Sequence, residues 1–165
     1  MLNRPDWDSY FMDIVQIIKT RSSCIRRQVG ALLVKDHRII TTGYNGAPAG
    51  MAHCGDLGGC LRVKMGFPSG AGHEYCRALH AEQNAIIQAA IMGVSISGAT
   101  LYCTDSPCTL CAKMLIGVGV TRVVFLGAYP DQLAMDLFAE AGIPLDQYDS
   151  ETRQARRYKP EGQDQ

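Results

Sequence analysis

The sequence predicts an α/β fold: a three-layer α/β/α sandwich around a mixed five-stranded sheet. Two β-rich runs joined by a short polar link read as a hairpin, and after them helical and β patterns alternate along the chain. A length of 165 residues, with 47% hydrophobic and 19% charged content, suits one ordinary domain with a real core and excludes wholesale disorder.

The elements follow in order. Pro5 and Asp6 precede a run in which Phe11, Ile14, Val15 and Ile18 recur at helical spacing, while Asp13, Gln16 and Lys19 point elsewhere. Residues 29–34 (Val-Gly-Ala-Leu-Leu-Val) and 38–42 (Arg-Ile-Ile-Thr-Thr) flank Lys35, Asp36 and His37 and form the hairpin. Residues 43–79 are rich in Gly and Pro without sustained periodicity, an unusually long loop that points to function or to a local staple. His80 to Met92 turns helical, with Ala81, Ala85, Ile86 and Ala89 on one stripe. Residues 100–104 (Thr-Leu-Tyr-Cys-Thr) form a strand, Pro107 opens a helix through Gly117, and residues 121–126 (Thr-Arg-Val-Val-Phe-Leu) form the next strand. A helix over Asp131–Ala141, stopped by Gly142 and Pro144, precedes a short strand near Leu145. We expect one domain over 1–149 and a polar, frayed tail over 150–165.

Composition narrows the function. Sixteen basic and sixteen acidic side chains cancel, leaving no basic surplus of the kind used to grip long nucleic acid or an anionic membrane. The expected partner is therefore small. No apolar run is long enough to span a bilayer, and residues 1–8, with Asp6 and Asp8, do not read as a signal peptide. The expected location is the cytoplasm, where seven cysteines read first as metal ligands or reactive thiols.

The strongest chemical signal pairs His80-Ala81-Glu82 with Pro107-Cys108-Thr109-Leu110-Cys111. One imidazole and two thiolates suit zinc, and three protein ligands leave the fourth tetrahedral position open to water, whose pKa the metal lowers to about 7. Cys108 and Cys111 are three apart and share a helix face, and helix N-termini favour thiolate over thiol. Glu82 stands two residues past His80, outside simple co-ligand spacing, and is the expected proton carrier. Taken alone, Cys-x-x-Cys is also a redox pair, half of a structural zinc site or two core cysteines, and His-x-Glu is common by chance. Their joint occurrence in this order, each at a helix start, is the zinc nucleobase-deaminase signature.

On these residues, and on residues 24–31 (Cys-Ile-Arg-Arg-Gln-Val-Gly-Ala), 43–50 (Gly-Tyr-Asn-Gly-Ala-Pro-Ala-Gly) and 80–86 (His-Ala-Glu-Gln-Asn-Ala-Ile), the chain resembles the cytidine deaminase superfamily. It is most similar to the deoxycytidylate (dCMP) deaminases, from about Trp7 to Tyr148. The resemblance implies a cytidine-deaminase-like fold, and conversion of dCMP to dUMP with release of ammonia, feeding dTMP synthesis. It also implies a homo-oligomer, often a hexamer, activated by dCTP with Mg2+ and inhibited by dTTP. In that chemistry Glu82 protonates N3 and passes a proton to the departing amine. Asn45 is expected near the sugar hydroxyl, because its amide both donates and accepts, and Arg26 and Arg27 are candidates for the 5′-phosphate or else solvated charges.

Cys103 reads as a small buried hydrophobe. Cys24, Cys54, Cys60 and Cys76 lie at loop-like positions with His53 and His73. Some viral relatives hold a second, structural zinc at positions matching Cys24 and Cys54. Ala78 replaces an acidic residue in their pattern, so we expect the site at Cys24, Cys54, His73 and Cys76, with Cys60 as the competing thiolate; free thiols are the alternative. Two rival functions stand beside the main one. One is deamination of another cytosine or of a base within nucleic acid, which would want a basic groove and stacking aromatics. The other is a non-catalytic, zinc-stabilised nucleotide-binding module with no need of Glu82.

Overall fold

The computed structural model describes residues 4–127 and 131–159. Within them α1 (Trp7–Lys19) leads into a hairpin of β1 (Gly30–Lys35) and β2 (Arg38–Tyr44). The long connection that follows carries a four-residue α2 (Leu61–Lys64) and a 3₁₀ turn at His73–Tyr75. Then come α3 (Ala81–Met92), β3 (Thr100–Asp105), α4 (Thr109–Gly117), β4 (Arg122–Gly127), α5 (Gln132–Glu140), β5 (Leu145–Asp149) and β6 (Gln154–Arg157). The strands form one sheet in the order β2-β1-β3-β4-β5-β6. β3, β4 and β5 run parallel, whereas β1 is antiparallel to β2 and β3, and β6 is antiparallel to β5.

The sheet is mixed and covered on both faces, as expected. Alternation in β1 sends Leu32 and Val34 to one face and Ala31 and Leu33 to the other, and all four are buried. The first face packs Phe11, Met12 and Val15 of α1 against Leu32, Tyr102 and Val124. The second packs the alanine stripe of α3, Leu115 of α4 and Phe138 of α5 against Leu33, Leu101, Val123 and Phe125. Two glycines permit this closeness. A Cβ on Gly30 would stand 2.6 Å from the carbonyl oxygen of Val15, and one on Gly43 would stand 2.0 Å from that of Ala81. Glycine thus lets α1 seat on β1 and α3 on β2. The hairpin turns on Asp36 and His37, both at positive φ, as a two-residue turn that matches strand twist requires.

The sheet has a sixth strand, which the sequence reading did not contain. β6 lies inside the segment expected to be a frayed tail, of which residues 160–165 fall outside the described part. Its apolar content is low, so a hydropathy scan passes over it. Backbone pairing with β5 and the Arg157 guanidinium on Asp146 (2.8 Å) hold it instead. The same carboxylate accepts from Arg122 (2.7 Å), whose other nitrogens donate to both oxygens of Asp8 (2.7 and 2.8 Å), while the Tyr102 hydroxyl donates to Asp8 (2.7 Å). One polar network therefore ties α1, β3, β4, β5 and β6.

Burial raises the Asp8 carboxyl, but the hydrogen bonds from Arg122 and Tyr102 outweigh it and hold it below the ordinary value of 3.8. A depressed carboxylate stabilises the fold above its unfolded pKa and loses that contribution as pH falls towards the folded one. Arg122→Met is expected to lower unfolding stability by about 2–3 kcal/mol at pH 7, the scale for leaving a half-buried carboxylate unpaired. Urea titrations should show the gap to the native chain narrowing below pH 3.8. A pH-independent gap would mean that the arginine acts by packing alone.

Candidate metal and nucleotide site

The site forms where two helix N-termini meet. Cys108 is the N-cap of α4, directly after β3, with Cys111 in the first turn; His80 is the N-cap of α3. Both helices begin one residue or more later than the sequence pattern predicts, so two ligands occupy caps rather than helical positions. The backbone N–H of His80 donates to the Gln83 side-chain oxygen (2.8 Å), which fixes that cap. At α4, the Asp131 carboxylate accepts from both the backbone N–H and the hydroxyl of Thr109 (2.7 and 2.6 Å) and from Ala134 N–H (3.2 Å), locking the starts of α4 and α5 together.

His80 Nδ1 lies 3.4 Å from both the Cys108 and the Cys111 sulfur. The three ligand atoms fall within 4.8 Å of one another, the one such set of His, Cys, Asp or Glu among the described residues. A tetrahedral zinc with Zn–S about 2.3 Å and Zn–N about 2.0 Å puts sulfur and nitrogen about 3.5 Å apart, so the set fits the ion. Electrostatics agree. The Cys111 thiol donates towards Cys108, and with His80 this overcomes burial and pulls the Cys108 thiol down to about 4, while Cys111 is pushed up. The hydrogen bond to Cys108 likewise raises His80. This cluster is organised around negative sulfur.

Glu82, 4% exposed, stands two residues past His80 in the first turn of α3. Burial pushes its carboxyl up to about 7, with the Cys108 and Asp105 charges adding to the rise and His80 opposing it. Cys103 is wholly buried, as expected of a core thiol, and burial raises it well above the ordinary value, helped by the Glu82 charge.

His80, Glu82 and Cys108 line a cavity of about 370 Å³, which Asn45, Arg26 and Arg27 also border. The Asn45 amide is largely engaged within the protein. Its oxygen accepts from Val29 N–H (2.8 Å) and the Ser22 hydroxyl (2.6 Å), and its nitrogen donates to the Arg27 carbonyl (2.8 Å). One N–H is left for a ligand, so Asn45 is first a clamp on the loop after α1. Arg27 pairs with Asp105 (2.6 Å), and the backbone groups of Val63 and Arg62, with Arg26 adding to them, hold the Cys60 thiol below its ordinary value against burial.

The loop cysteines also converge. Burial raises the Cys54 thiol, and the charges of Cys60, Cys76 and Cys24 add to it, so these four are electrostatic neighbours. His73 does not join them as the sequence reading expected. Its ring sits edge-on to His80, with centroids 5.0 Å apart, because the 3₁₀ turn carries it to the His80 side of the cavity. Cys60, the competing thiolate, is the neighbour of Cys54 instead. The four sulfurs are not drawn within 4.8 Å of one another as a set.

Sequence reasoning missed Arg62. It lines the same cavity, is 9% exposed, and its Nε is buried without a hydrogen-bond partner. Its charge lowers both His73 and His80. Nothing periodic surrounds it in the sequence; only the unusual length of the loop hinted that something functional lay there.

A mixed sheet with a His-Cys-Cys set at paired helix starts, and a buried glutamate beside it, is an α/β frame that carries a candidate zinc site. A family model for the cytidine and deoxycytidylate deaminase zinc-binding region matches residues 5–127, and the chain belongs to that family. It is 40% identical over 146 residues to the deoxycytidylate deaminase of Schizosaccharomyces pombe, covering 88% of this chain and 45% of that protein. It is 43% identical over 128 residues to the deoxycytidylate deaminase of Mycobacterium phage D29, covering 75% and 97%. The dCMP deaminase of cyanophage S-TIM5, crystallised with dCMP and dUMP, superposes with a TM-score of 0.72 at 30% identity, covering 87% of this chain and 98% of that one. The chain spans about half the length of the yeast relatives it matches, 45% and 46%.

Cys111→Ser should reduce zinc per chain by one after desalting, read by atomic emission, because two remaining ligands hold the ion poorly. Full zinc retention in that variant would remove Cys111 from the ligand set.

Proposed function

We propose that the protein is a dCMP deaminase, taking dCMP and water to dUMP and ammonia, with His80, Cys108 and Cys111 holding zinc and Glu82 as the catalytic proton carrier. The single observation that carries this reading is the buried Glu82 carboxyl, raised to about 7, on the wall of the cavity that His80 and Cys108 also line, with Cys111 behind them. A carboxyl of that pKa is ionised enough to accept a proton at neutral pH and acidic enough to return it. Zinc bound here supplies Lewis-acid activation of water. Glu82 takes a proton from the water that attacks C4, delivers it to N3, and carries the second proton to the amino group as the C4–N bond breaks. Because Glu82 is buried, bulk water does not compete for these protons. Asn45 offers its free N–H to the sugar, and Arg26 and Arg27 border the cavity.

Several further features belong to the same reading. The domain runs past residue 149 to include β6, since β6 completes the network under α1. The location is the cytoplasm; no helix among the described residues is long and apolar enough to cross a membrane. A small free nucleotide rather than nucleic acid is the substrate, in keeping with the zero net charge. Activation by dCTP with Mg2+ and inhibition by dTTP come with the family. So does a homo-oligomer, a hexamer in its common form, supported by the exposed Ile91, Met92 and Leu110 on the outer sides of α3 and α4.

A second zinc, structural rather than catalytic, is held by Cys24, Cys54, Cys60 and Cys76; their convergence and the lack of core in their loop support it. The native protein should then hold two zinc ions per chain and Cys76→Ser one, with His73→Ala unchanged. One zinc per chain, unaffected by Cys76→Ser, would remove the second site.

Incubation with dCMP, dCTP, cytidine and a cytosine-containing oligonucleotide, with ammonia as the readout, tests the main reading. Turnover should be confined to dCMP and should fall about 10³-fold in kcat in Glu82→Gln, with zinc content retained. Activity on the oligonucleotide alone, or on nothing, would overturn it.

A further inference from the structure

We infer that Arg62 reads the 5′-phosphate of the substrate nucleotide, an inference that rests on the dCMP reading above. Between Asn45 and His80 only Gly46 and Arg62 are buried, so the sole buried side chain of a long surface loop is a cation. Arginine is seldom buried without a partner, and its guanidinium cannot shed its proton to escape the cost. Yet no ion pair or side-chain hydrogen bond joins Arg62 to any described residue, and its Nε is sealed from solvent without an acceptor. The guanidinium therefore lacks a counter-charge that a ligand can supply.

The other two arginines on the cavity do not have this need. Arg27 is already paired with Asp105 and its side chain is 54% exposed. Arg26 is exposed, so water already solvates its charge. Nor is Arg62 the counter-ion of the catalytic carboxylate: the groups acting most strongly on Glu82 are His80, Cys108 and Asp105. Arg62 lines the same chamber as His80 and His73, from the loop that carries α2. A nucleotide with its base at the metal ligands must direct its phosphate to a wall of that chamber. A guanidinium fork matches phosphate oxygens in geometry and charge.

Deamination of dCMP and of deoxycytidine, which differ by the phosphate alone, provides the test in the zinc-loaded enzyme. Arg62→Gln should raise KM for dCMP about 10- to 100-fold, as loss of a charged hydrogen bond does, with kcat and deoxycytidine turnover nearly unchanged. Arg62→Lys keeps the charge without the fork and should fall between; should Arg62→Gln not fold, the lysine variant carries the comparison. Equal losses on both substrates, or an unchanged KM for dCMP, would overturn the assignment. Calorimetry with dUMP and deoxyuridine separates this inference from the deaminase reading. Absent dCMP turnover, with dUMP still binding tightly through Arg62, overturns only the activity. A phosphate contribution that is the same in native and Arg62→Gln protein overturns only the role of Arg62.

Discussion

The whole site depends on two helices starting within a few ångströms of each other. His80 and Cys108 are both N-caps, and their side chains meet at 3.4 Å only because α3 and α4 are set on the sheet at fixed distances. On one side that distance is enforced by Gly43, against which α3 lies so closely that no side chain would fit. On the other it is enforced by Asp131, which bonds the first residue of α4 and the first turn of α5. Ligand geometry is thus a property of backbone packing. At α4 the backbone N–H of Cys111 adds to the forces that lower the Cys108 thiol, so the local field favours thiolate before any metal arrives.

Glu82 shows two effects in opposition. It sits in the first turn of α3, where the helix dipole favours an anion, and beside His80, whose charge does the same. Burial nevertheless wins and raises the carboxyl to about 7. The alanine stripe explains how so polar a group can be buried here. Ala81 and Ala85 let α3 press onto the sheet, and Glu82, between them in sequence, is carried down with the helix above Cys103. Helix packing therefore sets the acid–base chemistry as well as the ligand spacing.

These dependencies also explain what could be read in advance. The sheet and its helices were legible because period-2 and period-3.6 apolar patterns are local, as in Ala31–Val34 and Ala81–Ala89. The grouping of His80 with Cys108 and Cys111 was legible because each of its two parts is contiguous in sequence and the order is characteristic. β6 was not, since Arg157 contributes through Asp146, eleven residues away, and not through apolar burial. Asn45 was read for the versatility of its amide, but that versatility serves Val29, Ser22 and Arg27 first. His73 lies beside His80 and Cys60 beside Cys54 because the side to which a loop residue points is decided by turns that hydropathy does not record.

The long loop between β2 and α3 is the last consequence. It adds almost nothing to the apolar core and is held by polar devices: the Asn45 clamp, a bridge between Gly46 and Leu79 (3.2 and 2.9 Å), and a group of four thiols. Such a segment has little hydrophobic stabilisation to resist opening, so its order depends on what binds to it. A metal on the thiols and an anion on Arg62 would act on the same few residues, since Cys60 is the N-cap of the helix that carries Arg62. Closing the cavity wall and binding an anion there would then be one physical event, and the charge left unpaired in the loop is what would couple them.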